Sequence, residues 1–172
     1  MALPGKLKQY NVFVDGDSYL GKVPEVTLPK LNTKTAAYRA GGMWASVSVD
    51  LGLDDDALDM DITLGGLEVS LLKKMGLAEA DGMQFRFAGG FQDESTGTVH
   101  SCQVQTRGRL TGVDWGSAKV GDDTAHKYTL KNTYVKITVD DEVIYEIDAL
   151  NAIYTVGGVD RSAEFRSILG IS

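Results

Sequence analysis

Three consecutive carboxylates, Asp54, Asp55 and Asp56, form the densest cluster of potential metal ligands in the sequence. A calcium-binding loop places its oxygen ligands at alternating positions and closes with a glutamate, and this run has neither feature. The pattern therefore favours a solvated turn over a calcium site. We expect no metal ion and no other cofactor.

His100 and Cys102 are a second pair with possible chemistry, because a histidine can activate a cysteine nucleophile. In an extended segment, residues two apart point to the same face. The nearby sequence, however, supplies no orienting acid, nucleophile elbow or oxyanion loop. Cys102 is the only cysteine, which excludes an internal disulfide. We expect a buried structural thiol, no catalytic residue, and a protein that is not an enzyme.

Four Gly-Gly pairs begin at Gly41, Gly65, Gly89 and Gly157. None fits a phosphate-binding loop pattern. With 20 glycines and only 3 prolines in the chain, turns between short strands explain these pairs better.

The chain is acidic, with a net charge of −7 over 172 residues. Such a charge repels phosphate, which excludes a sequence-independent grip on DNA or anionic lipid. No apolar run approaches the roughly 18 residues of a membrane helix, so we expect no membrane insertion. The first residues lack the apolar stretch of a secretory signal. We expect a soluble protein, made and assembled in a reducing cytoplasm.

The charge is unevenly distributed along the chain. Residues 1–39 carry six basic side chains against three acids, whereas residues 50–72 carry seven acids and no Lys or Arg. A basic face and an acidic face on one small domain would favour head-to-tail self-association.

Hydrophobic periodicity indicates the secondary structure. Residues 58–64 alternate apolar and polar side chains and predict a strand, and residues 67–76 have the spacing of a short helix closed by Gly76. Residues 83–107 predict one hairpin with a turn at 92–97, and residues 135–147 predict another with its turn at 140–142. Asp160 is placed to cap a final helix that ends before Gly170.

These elements predict one domain over residues 1–172, mainly antiparallel β, with one or two short α-helices packed on a barrel or sandwich. Several segments are also family landmarks. In chain order they are Asn11-Val12-Phe13-Val14-Asp15-Gly16, Ser18-Tyr19 with Gly21, Thr27-Leu28-Pro29-Lys30-Leu31, Tyr38-Arg39-Ala40-Gly41-Gly42-Met43, Val49-Asp50-Leu51-Gly52-Leu53, Gly65-Gly66, Trp115 with Gly121, Tyr145-Glu146-Ile147-Asp148 and Gly157-Gly158-Val159-Asp160. Together they resemble the major tail tube proteins of contractile-tailed phages and R-type bacteriocins.

The resemblance implies a structural subunit that forms hexameric rings, stacked into a hollow tube inside a contractile sheath. It implies a location in a virion tail or tail-like particle that is assembled in the bacterial host cytoplasm. The implied partners are further copies of the chain, the tail sheath protein, the tape-measure protein, and the baseplate and terminator proteins. DNA would pass through the tube without specific binding.

An extended loop over about residues 38–56 is the predicted inter-ring arm, because it joins extended segments and exposes large side chains beside small ones. Its predicted contact residues are Tyr38, Arg39, Gly41, Gly42, Met43, Trp44, Val47 and Val49. The alternative is that Trp44 packs within its own subunit.

Five acids, Asp54, Asp55, Asp56, Asp59 and Asp61, are candidates to line the channel. They lie opposite the apolar set of a strand, and an acidic wall would not retain DNA as a basic one would. The alternative is an ordinary solvated or inter-subunit face that pairs with the basic N-terminal region.

Two other functions remain open. One is a tail terminator or adaptor, or the tube protein of a secretion system, which would differ in the length of its polymer. The other is a monomeric ligand-binding β-sandwich module, which would need clustered aromatic side chains, whereas Trp44 and Trp115 lie far apart in the sequence.

Overall fold

The computed structural model describes residues 1–171, and it confirms a mainly antiparallel β fold with two short helices. The strands are β1 Gly5–Val14, β2 Asp17–Ser18, β3 Glu25–Thr27, β4 Thr33–Tyr38, β5 Val47–Leu53, β6 Met60–Leu64, β7 Met83–Asp93, β8 Val99–Asp114, β9 His126–Val139, β10 Glu142–Asp148, β11 Ile153–Val156 and β12 Val159–Asp160. The helices are α1 Val69–Leu72 and α2 Ala163–Leu169.

Ten of these strands form one antiparallel sheet in the order β12-β11-β10-β9-β8-β7-β1-β2, with β6 and β3 attached beside β9. Strand β9 holds the sheet together. One of its edges pairs with β8, while the other pairs with β10 along residues 134–139 and with β6 along residues 126–130. The long central strand therefore joins two groups of shorter strands.

Alternating apolar residues build the core, as the period of two predicts. In β6, Met60, Ile62 and Leu64 are buried, and the intervening Asp61 and Thr63 are only partly so. Val12 and Val14 of β1 belong to the same buried cluster, although β7, β8 and β9 lie between β1 and β6 in the sheet. The sheet must therefore curl so that one core fills its concave side.

Both predicted hairpins are confirmed. Strands β7 and β8 pair from Gln92↔Val99 to Met83↔Gly108, and β9 and β10 are joined by a two-residue loop. In that loop Asp140 and Asp141 have φ of 47° and 66°, the left-handed values of the turn type that suits a two-residue hairpin.

The prediction that all four glycine pairs are turns is wrong for Gly89 and Gly90, which lie within β7. A Cβ at position 89 would be 2.8 Å from Cε1 of Phe87 and 3.1 Å from Cδ1 of Leu7. Glycine is used there because two apolar side chains approach the backbone closely.

The helices are shorter than their sequence patterns. Helix α1 ends at Leu72, and the chain then turns to Gly76, which has φ of 82°. Helix α2 is capped at its end by Gly170 in the left-handed region, as predicted. Its N-cap is Ser162, whereas Asp160 accepts hydrogen bonds from the Ser162 amide and from Arg166.

Polar contacts fasten α2 to the rest of the subunit. The Ser162 hydroxyl and the Arg166 guanidinium both donate to the carbonyl of Ala152, at 2.8 and 3.0 Å. No residue of α2 is buried, and Phe165, Ile168 and Leu169 are all exposed. The apolar side of α2 is therefore left uncovered in the isolated subunit.

Acid should loosen α2, because one of its anchors is an ion pair. Hydrogen bonding from Arg166 lowers the pKa of the Asp160 carboxyl to about 2, below its ordinary value of about 3.9. Because the folded-state pKa of Asp160 is lower than its unfolded-state pKa, the ionised carboxylate stabilises the fold fully at pH values above the unfolded-state pKa. This stabilisation is lost as the pH falls through the folded-state pKa. NMR hydrogen exchange should show protection of the α2 amides falling between about pH 4 and pH 2.

The variant Asp160→Asn should already show weak α2 protection at neutral pH, while the amides of β9 keep theirs. Equal protection of α2 in this variant and the unaltered chain would contradict the anchoring role of the ion pair.

Neither helix of residues 1–171 has the length and apolar character needed to cross a bilayer.

Candidate functional site

Strands β4 and β5 form a two-stranded sheet of their own, separate from the ten-stranded sheet. In this β4–β5 hairpin, every residue of the two strands is exposed except Leu53, which is partly buried. A lone two-stranded hairpin is marginally stable in water. An exposed hairpin of this kind is typical of a segment that packs on another surface.

One side of the β4–β5 hairpin is apolar. Tyr38 pairs with Val47 and Ala36 pairs with Val49, so these side chains share a face, and the exposed Leu51 follows two residues further along β5. Tyr38, Val47, Val49 and Leu51 are each between 40% and 58% exposed. An exposed apolar strip of this kind is typical of an interaction surface.

The tip of the hairpin presents Trp44, which is 96% exposed. Gly42 has φ of 86°, which supplies the unusual backbone angle that the sequence predicted for the glycine pair. The Arg39 Nε donates to the Met43 carbonyl at 3.2 Å. Met43, which we expected to be exposed, is partly buried against the turn, where the Ala40 amide points to its sulfur.

The base of the hairpin is fixed to the body by main-chain hydrogen bonds. The Leu31 amide donates to the Ala57 carbonyl at 3.0 Å, and the Asp54 amide donates to the Asn32 carbonyl at 2.8 Å. Ala57 is fully buried, and Leu31 packs against the core. The hairpin therefore projects from an ordered attachment.

The five candidate channel acids fall into two groups. Asp59 forms an ion pair with Lys131, and Asp61 lies 3.5 Å from Lys127, both lysines being on β9. The hydrogen bond to Asp59 raises the pKa of Lys131. These partners, 66 and more positions away in the chain, were not evident in the sequence.

Asp54, Asp55 and Asp56 form the second group, at the foot of the hairpin. Asp54 is partly buried, and Asp55 and Asp56 are exposed. Lys34 lies 3.8 Å from Asp55, a solvent-exposed pair of little energetic weight. An outward negative surface thus rests mainly on these three residues.

The basic and acidic segments of the sequence partly neutralise each other within one subunit. Lys22 binds Glu68 at 2.9 Å, in addition to the contact between Lys34 and Asp55. The hydrogen bond raises the pKa of Lys22 and lowers that of Glu68. The separation of charge along the sequence therefore overstates the separation of charge on the surface.

His100 has an acidic partner that the sequence did not reveal, since its Nδ1 lies 2.7 Å from Oδ2 of Asp140. The hydrogen bond from His100 lowers the pKa of Asp140, and the Ser101 amide adds to the effect. Cys102 is only partly buried, and burial raises the pKa of its thiol, so the reactive thiolate is disfavoured at neutral pH.

Residues 1–171 contain no group of three or more His, Cys, Asp or Glu side chains placed to hold a metal ion.

Sequence reasoning missed a groove at the base of the hairpin. It has a volume of about 570 Å³, and its walls come from β5, the turn after β10, β11 and α2. Leu53, Ile153, Tyr154 and Phe165 supply apolar lining. No local sequence pattern predicts this groove, because the residues that form its opposite walls lie about 100 positions apart in the chain.

Comparison with known families identifies the class of protein to which this chain belongs. The family described as phage tail tube protein FII matches residues 4–170. The chain belongs to this family. The resemblance inferred from the sequence landmarks is thereby confirmed, and the subunit is a structural component of a phage tail tube.

Two tail tube proteins are similar over nearly their full lengths. The tail tube protein of Escherichia phage P2 is 44% identical over 172 residues, covering 99% of this chain and all of that protein. The major tail tube protein of Serratia phage KSP20 is 48% identical over 158 residues, covering 92% and 91%.

A solved structure shares the fold of this tube subunit. It is a chain of the anti-feeding prophage baseplate, in a six-fold symmetrised cryo-EM structure. The TM-score is 0.50 with 8% sequence identity, and the match covers 80% of this chain and 95% of that one. At this identity the match concerns the fold alone.

Proposed function

We propose that this chain closes into hexameric rings, which stack into the hollow inner tube of a contractile tail. The observation that carries the proposal is the β4–β5 hairpin, which extends an apolar face and the side chain of Trp44 into solvent. A monomer gains nothing from such an exposed surface, whereas a neighbouring subunit would cover it.

Unpaired sheet edges support ring formation. In the isolated subunit the main sheet ends at β2 and at β12, and β3 pairs only with β6. Such edges favour contact with another chain. Because the hairpin and the sheet edges are different patches, the contacts are heterologous, and contacts of this type close into rings or continue along an axis.

The hairpin serves as the arm between rings in this proposal. Its contact residues are Tyr38, Arg39, Gly41, Gly42, Met43, Trp44, Val47 and Val49. A buried aromatic anchor of this kind contributes on the order of 2 kcal/mol or more to an interface. Met43 contributes less directly, because it partly packs on its own turn.

Acids among Asp54, Asp55, Asp56, Asp59 and Asp61 line the channel in this proposal, so that DNA passes without specific binding. Asp56 is the strongest candidate, because it is exposed and, unlike Asp55, does not line the groove at the hairpin base. A wall rich in Lys or Arg would bind phosphate by counterion release at every ring.

The remaining partners are the tail sheath protein outside the tube, the tape-measure protein inside it, and the baseplate and terminator proteins at its ends. Assembly takes place in the cytoplasm of the bacterial host, and the finished tube lies in a virion tail or tail-like particle. The chain has no catalytic role in this proposal.

Electron microscopy of the purified chain at increasing concentration tests the proposal. We expect six-fold rings and stacked tubes, and a reconstruction in which the 54–61 segment faces the channel. A stable monomer at high concentration would contradict the assembly, and particles that stop at a single ring would favour a terminator. An outward-facing 54–61 segment in intact tubes would overturn the channel assignment alone.

A further inference from the structure

The groove at the hairpin base has the composition of a receptor for an aromatic side chain. Its volume of about 570 Å³ is more than the indole of a tryptophan needs. Its lining is predominantly apolar, with Tyr154 and Phe165 among its walls and Ala149 and Ala152 leaving space between them. Pockets of this kind hold the central anchor residues of protein interfaces.

The rim of the groove is acidic. Asp50, Asp54 and Asp55 all contribute to it. Within residues 1–171, Asp50 and Asp54 form no ion pair, and their carboxylates accept only the backbone amides of Gly52 and Asp55. The groove thus combines an apolar interior with unneutralised carboxylates, which suits an aromatic side chain beside a cation.

The tip of the β4–β5 hairpin carries an aromatic side chain beside a cation. Trp44 is almost fully exposed, and Arg39 lies beside it, held through its Nε to the Met43 carbonyl. Within the described residues the Arg39 guanidinium makes no ion pair. Aromatic and arginine side chains are the residue types most enriched at the centres of interfaces.

A subunit cannot place its own tip in its own groove. The groove lies where Thr33 pairs with Leu53, and the tip begins beyond the pair Tyr38↔Val47, five residues further along β4. At about 3.3 Å per residue the two ends are roughly 17 Å apart on a paired ribbon. The occupant that fits must therefore come from a second copy of the chain.

We propose that Trp44 of one subunit inserts into the groove of an adjacent subunit, with Arg39 facing the acidic rim formed by Asp50, Asp54 and Asp55. This inference rests on the proposed tube function and specifies the surface that receives the arm. The contact is heterologous, since tip and groove are different patches, so each added subunit offers a new groove to the next. Helix α2 supplies one wall through Phe165, which gives the uncovered apolar side of that helix a partner.

Cysteine cross-linking on assembled protein tests this contact while leaving Trp44 in place. In a Cys102→Ser background, Ala45→Cys sits next to Trp44 and Ala149→Cys lies in the exposed wall of the groove. A short bismaleimide should link successive subunits of the double variant into a ladder of trimers and larger species on a denaturing gel. The matched control pairs Ala45→Cys with Ala118→Cys, another exposed alanine that lies outside the groove, and should give no ladder.

The results of the cross-linking experiment distinguish a failure of the tip-in-groove contact from a failure of the proposed tube function. Tubes that form normally but show no ladder for the groove pair, or an equal ladder for the control pair, would overturn the tip-in-groove contact and leave the tube assembly standing. Absence of rings and tubes from the unaltered chain would overturn both.

A charge exchange gives a second test that needs no introduced cysteine. Arg39→Asp should raise the concentration for half-maximal assembly by about fivefold or more, because it places a carboxylate against the acidic rim. Combining it with Asp54→Arg should restore most of the loss. Equal assembly of the single variant and the unaltered chain, with unchanged circular dichroism, would count against the proposal.

Discussion

A subunit with a shortened hairpin should fold normally and fail to stack. The change replaces residues 39–46 with Asn-Gly, the preferred two-residue turn between paired strands, so that the partners Tyr38 and Val47 flank the new turn. It removes Trp44 without touching the buried core. We expect a melting temperature within a few degrees of the unaltered chain. Sedimentation velocity and electron microscopy should find single subunits or single rings in place of tubes.

The expected loss of stacking is large because every subunit of a ring loses the same contact. Loss of one aromatic anchor costs about 2 kcal/mol or more at each contact, or about 30-fold in its equilibrium constant. Trp44→Phe is the matched control, since it keeps an aromatic ring at the tip and should still form tubes. Tubes of ordinary length from the shortened chain would show that the sheet edges alone hold the rings together.

Gly108→Ala should destabilise the subunit strongly. A Cβ at this position would lie 2.2 Å from the Lys131 carbonyl oxygen and 2.5 Å from Oδ1 of Asn132. The neighbouring backbone has little freedom to move, because the register shifts at this point and the Asn132 side chain donates to the Leu58 carbonyl at 2.9 Å. Overpacking against the main chain costs about 3 kcal/mol, which in a chain of this size lowers the melting temperature by roughly 10 °C.

Gly112→Ala is the control in the same strand, since no atom lies within 4 Å of the Cβ it would add. It should change stability by less than about 1 kcal/mol. Calorimetry is best performed in the shortened-hairpin background, where subunit contacts do not contribute to the transition. A similar melting temperature for both glycine variants would mean that β8 and β9 can separate at Gly108 without cost.

Strands with one buried face could be predicted from the sequence. The alternation of Met60, Ile62 and Leu64 with polar residues follows directly from the two-sided geometry of a strand, and the turn at Asp140 and Asp141 follows from its polar residues. For the β4–β5 hairpin, the sequence predicts only an extended loop. Its apolar residues lie on an exposed ribbon, and sequence alone does not distinguish a surface covered by a neighbour from one covered by its own subunit.

Contacts between distant segments could not be predicted. Lys131 neutralises Asp59 from 72 positions away, and Asp140 binds His100 from 40 positions away. The side chains that line the groove become neighbours only once β10, β11 and α2 have packed beside the hairpin base. The orientation of helix α2 could not be predicted for the same reason. The spacing of its apolar residues suggests that they are buried, but Ser162 and Arg166 hold its polar side against the body of the subunit.

The position of β9 determines how the subunit would bear mechanical load. The hairpin leads through residues 54–59 into β6, and β6 is paired along its whole length with β9. Tension applied to the tip by an adjacent ring would therefore pass into β9. One edge of β9 is paired with β8, and its residues 134–139 are also paired with β10. Pulling along antiparallel strands shears many hydrogen bonds at once and does not break them one at a time. A tube built from such subunits would resist elongation through its backbone pairing, even though each ring is joined to the next by narrow contacts.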